Sequence, residues 1–411
     1  MTELKITPID GGICAAAGFK ASGIHAGFRK NKQKRDLALI VADDVCSAAG
    51  VYTTNKVFAA PVGVTRAHLA NGKAQAVICN SGNANTCNSD GYDKSNATCD
   101  MLAKALGINQ DDIIVASTGV IGVPLPLEPI TNGIPTLIAE LNASADASDK
   151  AACAIMTTDT KKKEFAYETT VGGKTVHLGG ICKGSGMIRP NMATMLCFIT
   201  TDAAVSSEML QRALSDVIKD TFNMVSVDGD TSTNDMVTVM ASGKAGNAEI
   251  VCEGADYDAF KAGLATLCKR LAMSIASDGE GATKLIACNV RNFTDIDGAR
   301  ALAKSVISSS LVKTAMFGAD ANWGRILCAL GYAGIDIDTD SIDVKFISSA
   351  GEILVCENGR GVEFSEELAK TILLRRHITI DIDMKSGSRD ATAWGCDLSY
   401  EYVRINGDYR S

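Results

Sequence analysis

The sequence predicts a mixed α/β protein, a body of layered sheets and helices followed by a smaller α+β lobe. Apolar runs of strand length alternate with amphipathic helical stretches as far as Asp278. Beyond Leu285 the strands instead alternate apolar and polar residues, as half-solvated strands do. With 38 Gly but only 7 Pro, the chain has many tight turns and no linker, so the two parts pack closely.

In order, DLALIVAD (Asp36 to Asp43) and AQAVICNSG (Ala74 to Gly82) are continuous apolar runs that end in turn residues, which suits buried strands. KSNATCDMLAKALG sets Ala97, Met101, Leu102, Ala105 and Leu106 on one helical face, with Gly107 as the stop. SSEMLQRALSDVIKD does the same through Met209, Leu210, Ala213, Leu214, Val217 and Ile218, opened by Ser206 or Ser207. A third helix covers Asp258 to Ala276, and DGEGATK breaks it. In the last part, IDVKFIS (Ile342 to Ser348) and ITIDIDM (Ile378 to Met384) are strands, with helices near Asp297 to Ser310 and Ser365 to Arg375. The smaller lobe is therefore placed at 285–390, with 194–284 completing the body and 391–411 as a closing segment.

A net charge of −8 argues against nucleic acid or an anionic membrane as the main partner. The two basic runs, FRKNKQKRD (Phe28 to Asp36) and KKKEF (Lys161 to Phe165), are expected to be solvated loop faces. Fourteen cysteines are scattered without a CxxC pair, and His25, His68, His177 and His377 supply no zinc spacing, so no metal site is expected. Buried free thiols, no secretory or transit pattern at the N-terminus and no apolar run approaching a membrane span together predict a cytoplasmic protein.

CKGSGMIRPNMATML, Cys182 to Leu196, raises the chemical question. A glycine-rich approach leads to Ala193 and Thr194, after which the chain turns apolar. Threonine is a poor nucleophile unless a base takes its proton, and a Thr at a new N-terminus carries that base as its own α-amine. The unperturbed α-amine pKa of about 7.7–8.0 leaves a useful neutral fraction near neutrality. The chain would then have to cut itself, the Thr194 hydroxyl attacking the Ala193 carbonyl. On residue types alone, however, a Thr opening an apolar strand is structural.

Six further blocks change the balance: ASTGVIGVPLP (Ala116 to Pro126), IMTTDT (Ile155 to Thr160), SVDGDTSTND (Ser226 to Asp235), DGEGATKLI (Asp278 to Ile286), FGADANWGRI (Phe317 to Ile326) and the C-terminal EYVRINGDYRS. Together with KGSGMIRPNMATML they resemble, in order and over nearly the whole chain, the ornithine acetyltransferase (glutamate N-acetyltransferase) family of arginine biosynthesis. That resemblance implies a self-cleaving N-terminal-nucleophile-type acyltransferase fold. It also implies cleavage between Ala193 and Thr194 into an α chain (1–193) and a β chain (194–411), assembled as an α2β2 heterotetramer. The implied reaction is a ping-pong exchange in which Thr194 takes acetyl from N2-acetylornithine and passes it to L-glutamate.

Residue by residue, the resemblance implies that Thr118 (hydroxyl) and Gly119 (N–H) form the oxyanion hole, and that substrate contacts come from Thr157, Lys183, Thr194, Glu280, Asn406 and Ser411. Lys183 suits a carboxylate and Glu280 an ammonium. Thr158 or Thr160 are alternatives to Thr157. Ser411 stands where many members end in Thr, which keeps the hydroxyl. No cofactor is implied, and acetyl-CoA is an open second donor, since no phosphate-cradling glycine loop is visible. Two other readings stay open: an N-terminal-nucleophile amidase or aminopeptidase, which would not need glutamate, and a non-enzymatic metabolite-binding protein, which would never cut. Asp228, Asp230 and Asp235 resemble part of a calcium loop, but Val239 fills its twelfth position, and turn hydrogen bonding is the expected role. The polar loop Asn80 to Asp90 is a further candidate lining of the pocket; its Cys87 has no base nearby in sequence.

Overall fold

The computed structural model describes residues 5–188 and 195–408, so Ala193, Thr194 and Ser411 lie outside the described residues. In chain order the strands of the first half are β1 (Thr7–Ile9), β2 (Phe19–Ile24), β3 (Leu37–Tyr52), β4 (Lys73–Asn83), β5 (Ile113–Val120), β6 (Lys163–Val171), β7 (Lys174–Lys183) and β8 (Leu196–Thr201). After β9 (Val225–Ser226) and β10 (Met236–Ala241) come β11 (Leu285–Phe293), β12 (Asp343–Ser348), β13 (Gly351–Glu357), β14 (Arg360–Gly361), β15 (His377–Asp383) and β16 (Arg389–Cys396).

Among the described residues one sheet runs β1-β6-β7-β8-β10-β3-β4-β5, with β2 added to β3. The second runs β14-β13-β12-β15-β11-β16-β9, so it borrows its last strand from the segment between β8 and β10.

Period-two alternation along β3 explains how the first sheet is covered. Ala38, Ile40 and Ala42 face one core, shared with Ala151 and Ile155 of helix α4 (Ala145–Ile155). Leu37 and Leu39 face another, closed by Val64 of α1 (Ala60–His68), Leu102 of α2 (Gly91–Leu106) and Ile130 of α3 (Glu128–Ala139). The third and largest core holds α5 (Ser207–Lys219) and α6 (Ala255–Ser277), and it continues from Val237 and Val239 to Ile286 and Val290 of the second sheet. Helix α6 touches β6 and β7 on one side and β11 and β16 on the other. Its Leu264, Leu267 and Leu271 are fully buried, each stabilising by roughly 1.5–3 kcal/mol.

Helix ends follow local chemistry. Ser206 caps α5, its hydroxyl accepting from the Met209 N–H at 3.3 Å, and Gly107 ends α2 with φ of 71° while its N–H donates to Ala103 at 2.8 Å. The second sheet carries α7 (Ile296–Ser308), α8 (Ser310–Gly318), α9 (Trp323–Gly331) and α10 (Glu366–Leu373), and the described chain closes with α11 (Tyr400–Gly407).

One expectation fails. Lys161 and Lys162 are exposed, but Lys163 is not on a solvated loop: it opens β6 at 0% exposure, because two carboxylates from distant segments meet its ammonium there.

Candidate active site

β7 and β8 pair antiparallel, with Lys183 opposite Leu196. The chain between them leaves the sheet as Lys183 to Ile188 and returns at Met195, and both flanks of the Ala193–Thr194 seam are held. Met195 accepts from the Met236 N–H at 2.8 Å, and Ile188 accepts from the Val227 N–H at 2.7 Å.

The outgoing segment contacts every part of the site in turn. Lys183 donates to the Thr118 hydroxyl at 3.4 Å. The Gly184 N–H donates to Asp159 at 2.7 Å, and the Ser185 hydroxyl meets that of Thr158 at 2.6 Å. The Ser185 carbonyl accepts from the Glu280 N–H at 2.8 Å. Gly186 then passes so close to Glu280 that a Cβ there would lie 2.5 Å from its carboxyl carbon. Met187 and Ile188 donate their N–H groups to Asp228 at 2.6 and 2.8 Å. Asp228 also accepts from the Asp230 N–H at 3.2 Å, the turn hydrogen bonding expected for the SVDGDTSTND block, and Tyr402 of α11 donates to the same carboxylate at 3.3 Å.

Two poles result. At one, Lys183 lies beside Thr118, both buried to within a tenth of full exposure. At the other, Glu280, itself 8% exposed, accepts from the Asn406 side chain at 2.8 Å, which brings the end of the chain back to the site. Thr157 belongs to the loop after α4 and gives its N–H to Asp159 at 2.9 Å. The hydroxyls of Thr158 and Thr160 are engaged, with Ser185 and Asp278. Thr157 keeps its hydroxyl without a partner among the described residues, which favours it over the other two as a substrate contact.

Thr118 and Gly119 end β5, which runs parallel to β4 with Gly119 opposite Gly82. Gly119 has φ of 136°, and an added Cβ would fall on the Gly82 backbone and 2.5 Å from the Asn83 nitrogen. Only glycine fits. Gly119→Ala is expected to lower stability by about 2–4 kcal/mol and to cut activity sharply, read by thermal melts alongside turnover; a variant with unchanged melting and turnover would show that this backbone tolerates a side chain.

Asn234 was not singled out by sequence reasoning, yet it holds this strand end. Its amide donates to the carbonyls of Ser117 and Ala84 at 2.7 Å each, and its oxygen accepts from Thr86 at 2.9 Å and Thr233 at 2.6 Å. The Asn80 to Asp90 loop is thus a support behind the oxyanion candidates, with Asn80 accepting from Ser117 at 2.6 Å. Cys87 is exposed, whereas burial pushes the Cys182 thiol, next to Lys183, far up and that of Cys79 up to about 12, so neither is a competing nucleophile. Among the described residues no cluster of His, Cys, Asp or Glu could hold a metal, and no helix is long and apolar enough to cross a membrane.

The ArgJ family model matches residues 20–411. The chain belongs to the ArgJ family. An arginine biosynthesis bifunctional protein ArgJ from Caldanaerobacter subterraneus subsp. tengcongensis is 48% identical over 98% of this chain and 99% of its own. ArgJ 1 of Clostridium acetobutylicum is 48% identical over 96% of each chain. A crystal structure of ArgJ from Bacillus halodurans is 45% identical, covering 51% of this chain and 97% of that one at a TM-score of 0.49. An ornithine acetyltransferase from Mycobacterium tuberculosis, solved with ornithine, is 36% identical, covering 46% of this chain and all of its own at a TM-score of 0.42. The family resemblance read from KGSGMIRPNMATML and its companion blocks therefore holds over almost the full ArgJ length.

Proposed function

We infer that this ArgJ-family enzyme is a self-maturing acetyltransferase that moves acetyl from N2-acetylornithine to L-glutamate through an acetyl-Thr194 ester. The observation that carries the reading is the bipolar site. One six-residue segment, Lys183 to Ile188, links a buried cation beside Thr118 to a buried anion, Glu280, and precedes the Ala193–Thr194 seam in sequence. A substrate with both a carboxylate and an ammonium fits such a pair of poles.

In this reading the Thr194 amine takes the proton of its own hydroxyl as that oxygen attacks the acetyl carbonyl. The tetrahedral oxyanion is met by the Thr118 hydroxyl and the Gly119 N–H, and the returning proton expels ornithine. Lys183 clamps the α-carboxylate, Glu280 takes the side-chain ammonium, and Thr157, Asn406 and Ser411 complete the contacts. Glutamate then attacks the ester. Acetyl-CoA is kept as a second donor substrate, no other cofactor takes part, and the place of action is the cytoplasm, with the two chains assembled as α2β2.

The test follows ornithine release from N2-acetylornithine with and without glutamate. Release that requires glutamate supports transfer; release at the same rate in its absence makes the enzyme a hydrolase and sinks the reading. In the same assay Glu280→Gln is expected to lower kcat/KM for N2-acetylornithine about 10–100-fold, the loss of one charge-assisted contact, and an unchanged value would remove Glu280 from the ammonium pole.

A further inference from the structure

The loop before β10 carries a carboxyl that acetyl transfer does not use. Asp235 precedes Met236, whose N–H is bonded to the Met195 carbonyl, and the parallel register sets Met236 opposite Leu196. The carboxyl is thus placed beside the chain just after the Ala193–Thr194 seam, in one cavity with Lys183 and Thr118. Asp235 is 1% exposed, and its Oδ2 is fully buried with no hydrogen-bond partner among the described residues. The Thr53 hydroxyl donates to the Ser232 carbonyl at 2.8 Å, and the Thr53 N–H to the Asp235 carbonyl at 3.0 Å. Burial pushes the carboxyl well above the usual range, and the Ser232 hydroxyl, the Lys183 charge and the Thr53 hydroxyl only partly oppose this. Burial thus favours its protonated form.

A buried carboxyl with one oxygen unpartnered is a cost to folding. Packing alone does not account for it, since an apolar residue would fill the same place without burying an unpartnered oxygen. The cavity that it shares is lined also by Met195 and Leu196, the two residues that follow the seam in sequence.

We propose that Asp235 relays the proton of self-cleavage at the Ala193–Thr194 bond. The proposal rests on the reading above that the chain cuts there. As Thr194 Oγ bonds to the Ala193 carbonyl carbon, the hydroxyl proton passes to one oxygen of Asp235, and the other oxygen gives its proton to the Thr194 nitrogen. The C–N bond breaks with its electron pair on nitrogen, leaving an ester and an amine, and the acid ends as it began. Water then hydrolyses the ester. An ionised carboxylate could take the first proton but would have none ready for the nitrogen, so a carboxyl whose protonated form burial favours suits both halves of the step. Once the new amine exists it serves as the base, which explains why the transfer chemistry has no need of Asp235.

The experiment is cell-free synthesis of the full chain with a labelled pulse, followed by a chase resolved on denaturing gels. Wild type, Thr194→Ala, Asp235→Asn and Asp235→Ala are run side by side, the last with added formate or with chloride at equal ionic strength. Asp235→Asn is expected to cut at least ~100-fold more slowly than wild type, and formate, but not chloride, is expected to speed the Asp235→Ala chain. Cleavage of Asp235→Asn within a few-fold of wild type overturns the proposal while leaving self-cleavage intact. So does an Asp235→Ala chain indifferent to formate, since the carboxyl would then act through packing. If wild type stays whole, or Thr194→Ala is cut as well, the underlying reading fails instead.

Discussion

Thr194→Ala is expected to leave one uncut chain and to lower acetyl transfer by at least ~10⁴-fold, as loss of a covalent nucleophile does elsewhere. Intact mass under denaturing conditions reads the first effect and ornithine release the second. Wild type should resolve into two pieces, the second beginning at Thr194. The pieces should nevertheless migrate together under native conditions, because the cut falls between neighbouring strands of one sheet. β7 stays paired with β8 from Leu178 to Lys183, and β3 with β10 from Ser47 to Tyr52, and all four strands are bonded without the severed peptide. Separation would also open the core around Ile199 and Val239, both about 1% exposed or less. A wild type that transfers acetyl without being cut would mean that Thr194 is not activated by its own amine. A cut Thr194→Ala chain would remove the hydroxyl from the cleavage step.

Much of this arrangement was legible in the sequence because it depends on local pattern. The apolar run at Asp36 is the first half of β3, which continues to Tyr52, the run at Ala74 is β4, and the three helical faces are α2, α5 and α6 within a few residues at each end. The helices missed show what pattern cannot reach. α3 carries Pro135 inside it, α4 is rich in Ala and Asp, and α8 and α9 are single short stretches of nine residues. Segments this short or interrupted do not declare themselves by periodicity, and tertiary packing holds them helical.

At the site, family blocks located Lys183, Thr118, Glu280 and Asn406, and the fold brings Lys183 to Thr118 and Asn406 to Glu280. What holds them was not readable. Asn234 acts on Ser117 across 117 positions, and Lys163 meets Asp278 across 115. A lysine between Lys162 and Glu164 looks solvated until the fold supplies its partners. The signal available was weak: Asp159 lies four positions before Lys163, as on a helix face, but the segment is a loop entering a strand.

Lys163→Met is expected to destabilise the protein by about 3–5 kcal/mol, the range for removing one partner of a buried ion pair. The Lys163 ammonium sits 2.6 Å from Asp159 and 2.7 Å from Asp278, with both Lys163 and Asp159 side chains at 0% exposure. Asp159 is spanned further by the N–H groups of Thr157 and Gly184, and Asp278 by those of Thr160 and Lys161. The cluster thus ties together the loop of Thr157, the strand end of Lys183 and the turn of Glu280, so substrate binding should suffer along with stability.

Charge, not lost packing, should dominate, and pH separates the two. Burial works to raise the Asp159 carboxyl, but the Lys163 and Lys183 charges and its hydrogen bonds outweigh burial and hold it well below the usual carboxylate range. Asp159 therefore contributes stability that is complete above its unfolded value of about 3.9 and is lost as pH falls from there toward its folded one. Burial likewise opposes the charge of Lys163, and Asp159 and Asp278 more than offset it, which raises the lysine. That share is complete below about 10.4 and is lost as pH climbs through the raised value.

In Lys163→Met the orphaned carboxylates can escape by taking up protons, so the deficit in thermal stability should be smaller at pH 5 than at pH 8. Adding Asp159→Asn and Asp278→Asn to Lys163→Met should recover part of the loss at pH 8, because no charge is then left buried without a partner. A deficit equal at both pH values, and untouched by the added asparagines, would assign the loss to packing around the lysine stem and release the three binding segments from electrostatic control.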